Sequence, residues 1–137
     1  VGAVDVVTWA PTSGSRARAR GYDQSELLAR AVARELGVPC RRLLHRTHGE
    51  PPTGHTRAER LHGVSFRSRA ASGFGRRAHR HPMRVLLIDD IVTTGATLVA
   101  ARSALQRAGA ASVVCAAAAA TPAVRSHVVS LELAQAS

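Results

Sequence analysis

The chain of 137 residues contains no lysine, and all nineteen of its basic residues other than histidine are arginines. That absence removes one large class of phosphate site, since the nucleotide-hydrolase loop G-x-x-x-x-G-K-[ST] needs its lysine on the terminal phosphates. It also argues against a receiver-type acidic cluster, which a lysine assists. Aromatics are sparse: Trp9, Tyr22, Phe66 and Phe74 stand far apart, so the interleaved stacking platform of a single-strand nucleic-acid groove is missing. Cys40 and Cys115 are widely separated and form neither a C-x-x-C knuckle nor a disulfide framework; single buried thiols in strand-like segments are expected. No apolar run reaches the ~18 residues of a membrane span. The N-terminus lacks the charged and then apolar regions of a secretory signal, and a cytoplasmic protein is expected. The chain starts at Val1 and enters a strand-like run almost at once, as a fragment lacking an N-terminal extension would.

What is abundant is positive charge. Nineteen arginines against nine acids give a net charge of +10, which attracts polyphosphates and nucleic acids through counterion release. An Ala- and Arg-rich composition set by genomic base content gives the same charge without a function. The length fits one domain with a core of its own.

The most informative stretch is residues 85–97, VLLIDDIVTTGAT. Val85 to Ile88 have the composition of a strand buried on both faces of a parallel sheet, and the spacing ends that strand at Asp89 and Asp90. Thr93, Thr94, Gly95, Ala96 and Thr97 make a small, hydroxyl-rich turn. A helical pattern follows, with Leu98, Ala101, Ala104, Leu105 and Ala108 on one face and Gly109 as its stop. Strand, small-residue turn and helix N-terminus together present unpaired N–H groups to an anion, best a phosphate. Two carboxylates beside it would repel a bare phosphate. A sugar between the two resolves the conflict: hydroxyls donate to Asp89 and Asp90 while the 5′-phosphate lies on Thr93 to Thr97. An ordinary buried strand with a capped helix is the plainer alternative. GFGRRA, residues 73–78, fits G-x-G-x-x-A, but no strand precedes it and it reads as a chance match.

Val4 to Trp9 reads as a first strand, ended by Pro11. The segment TSGSRARARGYDQ follows, and Asp23 with Glu26 makes a capping box for a helix whose apolar stripe is Leu27, Leu28, Ala31, Val32 and Leu36, closed by Gly37 and Pro39. This is a second anion site, where Ser13, Gly14, Ser15 and Arg16 suit a pyrophosphate through backbone donors and a guanidinium. Val38 to Leu44 reads as a short strand. Arg46 to His55 reads as loop, followed by a short helix from Thr56 that puts Arg57 and Arg60 on one side. Residues 45–83 as a whole are expected to form a variable loop or lid, carrying Arg57 and Arg60, that shields a reactive centre; a solvated loop with an exposed basic helix is the alternative. His45, His48, His55 and His62 lack the spacing of a zinc site. Residues 70–81 read as loop, Ser112 to Ala120 as a buried strand, and Val128 to Leu133 as a terminal strand.

VLLIDDIVTTGAT resembles the phosphoribosyl pyrophosphate (PRPP) binding signature of type I phosphoribosyltransferases. Arg16, Arg18, Arg20, Gly21, Tyr22 and Gln24 resemble the RxRxRGFNQ-like run of the ComF-type, competence-associated branch, with Asp23 where asparagine is usual. Pro51, Pro52, Thr56, Arg57, Ala58, Glu59, Arg60 and Leu61 keep the frame of that branch's TPPQxxLSRAERLxNVxGAF-like block, with Thr53, His55 and Gly63 departing from it.

The resemblance implies an α/β, Rossmann-like parallel-sheet fold of the type I phosphoribosyltransferase kind, a single domain over residues 1–137. It implies transfer of ribose 5-phosphate from PRPP to a nitrogen acceptor with release of pyrophosphate, through an oxocarbenium-like state. Asp89 and Asp90 would be catalytic, Thr93 to Thr97 would anchor the 5′-phosphate, and Ser13 to Arg16 would draw the pyrophosphate. Mg²⁺ would arrive with PRPP and take few protein ligands, Asp89 and Asp90 being the candidates. A homodimer is expected. The alternatives are a non-catalytic PRPP- or nucleotide-binding regulator and a single-stranded-DNA-binding accessory of DNA uptake.

Overall fold

The computed structural model describes residues 3–12, 18–47, 65–68 and 83–121. In chain order these form β1 (Val6–Trp9), α1 (Gln24–Leu36), β2 (Leu44–Thr47), β3 (Ser65–Ser68), β4 (Arg84–Val92), α2 (Ala96–Arg107) and β5 (Ser112–Ala120). The strands make a parallel sheet in the order β1-β4-β5 and a separate antiparallel pair, β2-β3.

Period-two alternation decides which side chains meet which helix. Val6, Val85, Leu87 and Val113 pack with Leu44, Phe66 and the Ala100, Ala101, Ala104, Leu105 face of α2. Val7, Trp9, Leu86 and Ile88 pack with Ala29 and Ala33 of α1 on a second cluster. The helices therefore cover opposite faces, which is why β1 and β4 are apolar at consecutive positions. Arg84 locks the start of β4 to Asp5 by two side-chain bonds of 2.9 and 3.0 Å, and its own N–H adds a third of 2.8 Å.

After α1 the chain returns to the far edge of β1, where Cys40 bridges Val7 in parallel. β4 lies on β1's other side. Consecutive connections from β1 thus diverge, and the gap between β1 and β4 is a topological switch point, where open α/β sheets bind ligands at the carboxyl ends of their strands.

Several expectations are corrected. Val38 to Leu44 is not a strand: Pro39 O accepts from Val7 N–H and Arg41 N–H donates to Val7 O. There the ladder stops, because Leu43 N–H turns to the Thr8 hydroxyl instead. The strand begins at Leu44 and runs to Thr47, into the stretch expected to be loop, because Leu44 and Phe66 are pulled into the core. Of residues 45–83, then, 45–47 and 65–68 are paired strands; the short helix expected from Thr56, with Arg57 and Arg60, lies outside the described residues. So do Ser13 to Arg16, the 73–78 glycine motif and the 128–133 strand.

The face of α1 is also rotated from the expected stripe. Ser25, Ala29 and Ala33 are buried, flanked by half-buried Leu28 and Val32, while Leu27, Ala31 and Leu36 are exposed. Leu27 and Ala31 lie roughly 200° around the helix from Ala29, and the smaller side chains win the sheet-facing side because they allow close approach. β5 is a strand as expected but is not buried along its length, with Val113 alone of its nine residues fully enclosed. Cys40 and Cys115 are each half-buried rather than buried, and burial raises both thiol pKa values. Among the described residues no helix is long and apolar enough to cross a membrane.

Candidate functional site

β1 and β4 part company at the acidic pair. The last paired residues are Trp9 and Ile88, and Ala10 N–H makes the final bond to Ile88 O at 2.9 Å. Pro11 then takes the chain away, so the next β4 amide on that edge, Asp90 N–H, has no strand partner. It is satisfied locally, by Asp89 Oδ1 at 2.9 Å and by Ser25 Oγ at 3.1 Å. On the other edge β5 continues, pairing with Asp89, Ile91 and Val92. For that reason the strand runs through the carboxylates to Val92 instead of ending at them.

Asp89 is buried, 7 % exposed, and Asp90 is half-buried. Their bonds converge on one oxygen each. Ser25 Oγ lies 3.2 Å from Asp89 Oδ1 and 3.4 Å from Asp90 Oδ1, and Ile91 N–H donates to Asp90 Oδ1 at 2.9 Å. The two carboxyl groups also lie within hydrogen-bonding reach of each other. Burial pushes the Asp89 carboxyl up to about 7, and the nearby Asp90 carboxylate adds to the rise. The Asp90 N–H and the Ser25 hydroxyl pull the other way.

Three residues beyond β4 the chain turns into α2 through Gly95, whose φ of 81° is left-handed. The helix start is uncapped, against the plainer alternative: Gly95, at the cap position, has no side chain to accept from the first turn. Thr94 Oγ1 accepts from Ala96 N–H at 3.3 Å, and Val99 N–H begins the helical ladder on Gly95 O at 3.0 Å. The N–H groups of Thr97 and Leu98 keep no partner among the described residues. Thr93 and Thr94 are exposed, while Ala96 and Thr97 are half-buried. The acids and the open helix end therefore sit on one continuous strand-turn-helix, as the spacing predicts.

Asp23 does more than cap. Its Oδ1 accepts from Ser25 N–H at 3.1 Å, as a helix cap should, and its Oδ2 accepts from Thr12 N–H at 3.0 Å. The reciprocal half of the capping box is missing because Glu26 is held by Arg30 one turn on, at 2.7 Å. Asp23 thus ties Thr12 to the first turn of α1 and fixes that turn beside the acids. Ser25 is the site residue that sequence reasoning missed. A serine in a first helical turn reads as capping chemistry, and no local signal ties it to a carboxylate pair 64 residues away.

The chain is similar to proteins of known kind. The phosphoribosyl transferase domain family matches residues 23–132. Competence protein ComFC of Bacillus subtilis (strain 168) is 37 % identical over 105 residues, which cover 75 % of this chain and 39 % of ComFC. The chain thus spans well under half the length of that relative. Among solved structures, an HPRT glutamic acid mutant from an analysis of an invariant aspartic acid superposes with a TM-score of 0.50 at 18 % identity, over 96 % of this chain and 60 % of the other. The allosteric regulatory enzyme of purine biosynthesis gives 0.49 at 23 % identity, over 83 % of this chain and 22 % of the other. An α/β parallel sheet with helices on both faces, the signature at 85–97 and the family match agree: the chain belongs to the phosphoribosyl transferase domain family, with its sequence likeness on the ComF side of it.

Proposed function

We propose that the chain binds PRPP at the β4–α2 junction and transfers its ribose 5-phosphate to a nitrogen acceptor, releasing pyrophosphate. The observation that carries this reading is the pairing of two adjacent carboxylates with an uncapped helix N-terminus three residues beyond their strand. Thr97 and Leu98 N–H, together with the Thr93 and Thr94 hydroxyls, receive the 5′-phosphate, which the helix dipole favours. The Asp89 and Asp90 carboxylates accept from ribose hydroxyls. As the acceptor nitrogen's lone pair forms the bond to the anomeric carbon, the carbon–oxygen bond to pyrophosphate breaks and its electron pair leaves with the pyrophosphate. The nitrogen then gives up its proton. Positive charge develops on the sugar ring in between, and fixed carboxylates interact with it more strongly than with the ground state.

The donor set suits a hard cation that brings its own oxygen ligands: Asp89 and Asp90 offer carboxylate oxygens, and no cluster of three or more His, Cys, Asp or Glu stands among the described residues. Those two carboxylates would hold Mg²⁺, which when bound supplies charge neutralisation on the pyrophosphate oxygens. Ser13 to Arg16 fit the pyrophosphate by their donors, and Arg57 and Arg60 remain the candidates for lid and acceptor contacts. A cytoplasmic homodimer completes the reading.

The test is the double variant Asp89→Asn with Asp90→Asn, assayed for PRPP-dependent pyrophosphate release against a panel of bases and amines. Loss of turnover with unchanged circular dichroism is expected. Release at the wild-type rate overturns the proposal. The net charge of +10 and the likeness to a competence protein favour a second reading, a non-catalytic accessory that binds nucleotides or single-stranded DNA. Affinity for a single-stranded oligonucleotide that stays constant between low and physiological salt would count against it.

A further inference from the structure

One buried hydroxyl sits against both acids. Ser25 is 2 % exposed, and its Oγ lies 3.1 Å from Asp90 N, 3.2 Å from Asp89 Oδ1 and 3.4 Å from Asp90 Oδ1. We propose that Ser25 is a positioning residue: its hydroxyl ties Asp89 and Asp90 to the first turn of α1 and fixes how the pair meets the sugar, an inference that rests on the PRPP reading above.

The argument is one of connectivity. Adjacent residues of a strand project to opposite faces; Asp89 Oδ1 reaches back to the Asp90 N–H at 2.9 Å, and it is the Ser25 hydroxyl that ties this pair to α1. A single oxygen accepting from the Asp90 amide and donating to the Oδ1 atoms makes them one unit. The hydroxyl carries one hydrogen, so it serves one carboxylate at a time and the shorter contact favours Asp89. Among the described residues the bonds from Ser25 Oγ, Asp90 N–H and Ile91 N–H all fall on Oδ1 of one acid or the other, so a ligand can reach the pair without displacing them. Ser25 is in turn held by the Asp23 cap on its own N–H, which places the tie on a rigid element rather than on a loop. Alanine at this position would still fill the helix face that Ala29 and Ala33 occupy, yet the Asp90 N–H would lose one acceptor and both carboxylates their shared donor.

The test has two arms. In the first, protein with ¹³C-labelled aspartate carboxyls is examined without ligand, the signals of Asp89 and Asp90 being identified from their asparagine variants. Ser25→Ala should move both signals, and Ser25→Cys, a weaker donor of similar size, should move them less. Signals of both acids unmoved in Ser25→Ala overturn the proposal. In the second arm, PRPP with Mg²⁺ is titrated calorimetrically and turned over with whichever acceptor the wild type uses. Ser25→Ala should raise the Kd and KM for PRPP several-fold, because the acids are less fixed when the sugar arrives, and should lower Tm, because a bond made within the folded chain is lost. Unchanged Kd beside shifted carboxyl signals overturns the positioning role. A wild type that fails to bind PRPP sinks the PRPP reading instead, and the carboxyl signals then decide the tie alone.

Discussion

Replacing Asp89 by asparagine should make the fold more stable, and more so as the solution becomes more alkaline. The carboxyl is 7 % exposed, and burial holds its pKa up to about 7, against about 4 for a carboxyl in water. Below pH ~4 the group is protonated in the folded and unfolded chain alike and contributes no pH dependence. Between ~4 and ~7 the unfolded chain ionises freely while the folded one resists, so the folded state binds more protons and stability falls with rising pH. Above ~7 the loss is complete. At ~1.4 kcal/mol per tenfold change, the full window is worth on the order of 3–4 kcal/mol. Asparagine is close in shape to the protonated acid and keeps an oxygen to accept from Ser25 Oγ and Asp90 N–H, so it should escape the penalty. Urea unfolding of both proteins at pH 5 and pH 8 measures the difference directly, and the advantage of Asp89→Asn should widen by on the order of 2 kcal/mol between the two. An advantage that is flat or shrinks with pH would refute the reasoning, because the buried carboxyl would then be ionising as easily as one in water.

Three further outcomes follow from geometry already described. Gly95→Ala places a Cβ in open space but at a φ of 81°, so it should cost about 1–2 kcal/mol of strain and weaken PRPP affinity, read by thermal shift with and without ligand. The Asp5 carboxyl is held down to about 2 by its side-chain bonds to Arg84. Its contribution is thus complete above pH ~4 and lost as pH falls toward 2, so Asp5→Asn should destabilise at pH 7 and match the wild type in strong acid by the same unfolding assay. Phe66→Ala empties a site that is 2 % exposed between the hairpin and α2 and should lower unfolding free energy by about 3–5 kcal/mol.

The order of the candidate site was legible along the chain because its elements are local. Apolar strand, two acids, turn and helix are contiguous from Val85 to Leu105, and consecutive residues can be placed on one junction without knowing the rest of the fold. The misplaced parts depend on partners distant in sequence. Leu44–Thr47 became a strand only because Ser65–Ser68 pairs with it, and the Val38 segment failed as one because a side chain, Thr8, took the amide a ladder needed. The face of α1 turned on size rather than polarity, alanines and a serine displacing leucines from the sheet. Ser25 escaped notice for the same reason, since what it touches is set by how α1 crosses the end of β4.

The row of alanines on α2 has a consequence of its own. Ala100, Ala101 and Ala104, with Leu105 at the far end, are the side chains on which that helix rests, so toward its leading end the distance from the sheet is set by methyl groups, the shortest spacers available short of glycine. A helix seated on such low supports has little room to slide or lift, and its leading amides inherit that fixed height. The distance from the anion end of the junction to the acid end is therefore dictated less by the residues that would touch a ligand than by methyl groups buried beneath the helix. A single valine among them would act as a shim under the cradle, changing the span a ligand must bridge while leaving each contacting group intact.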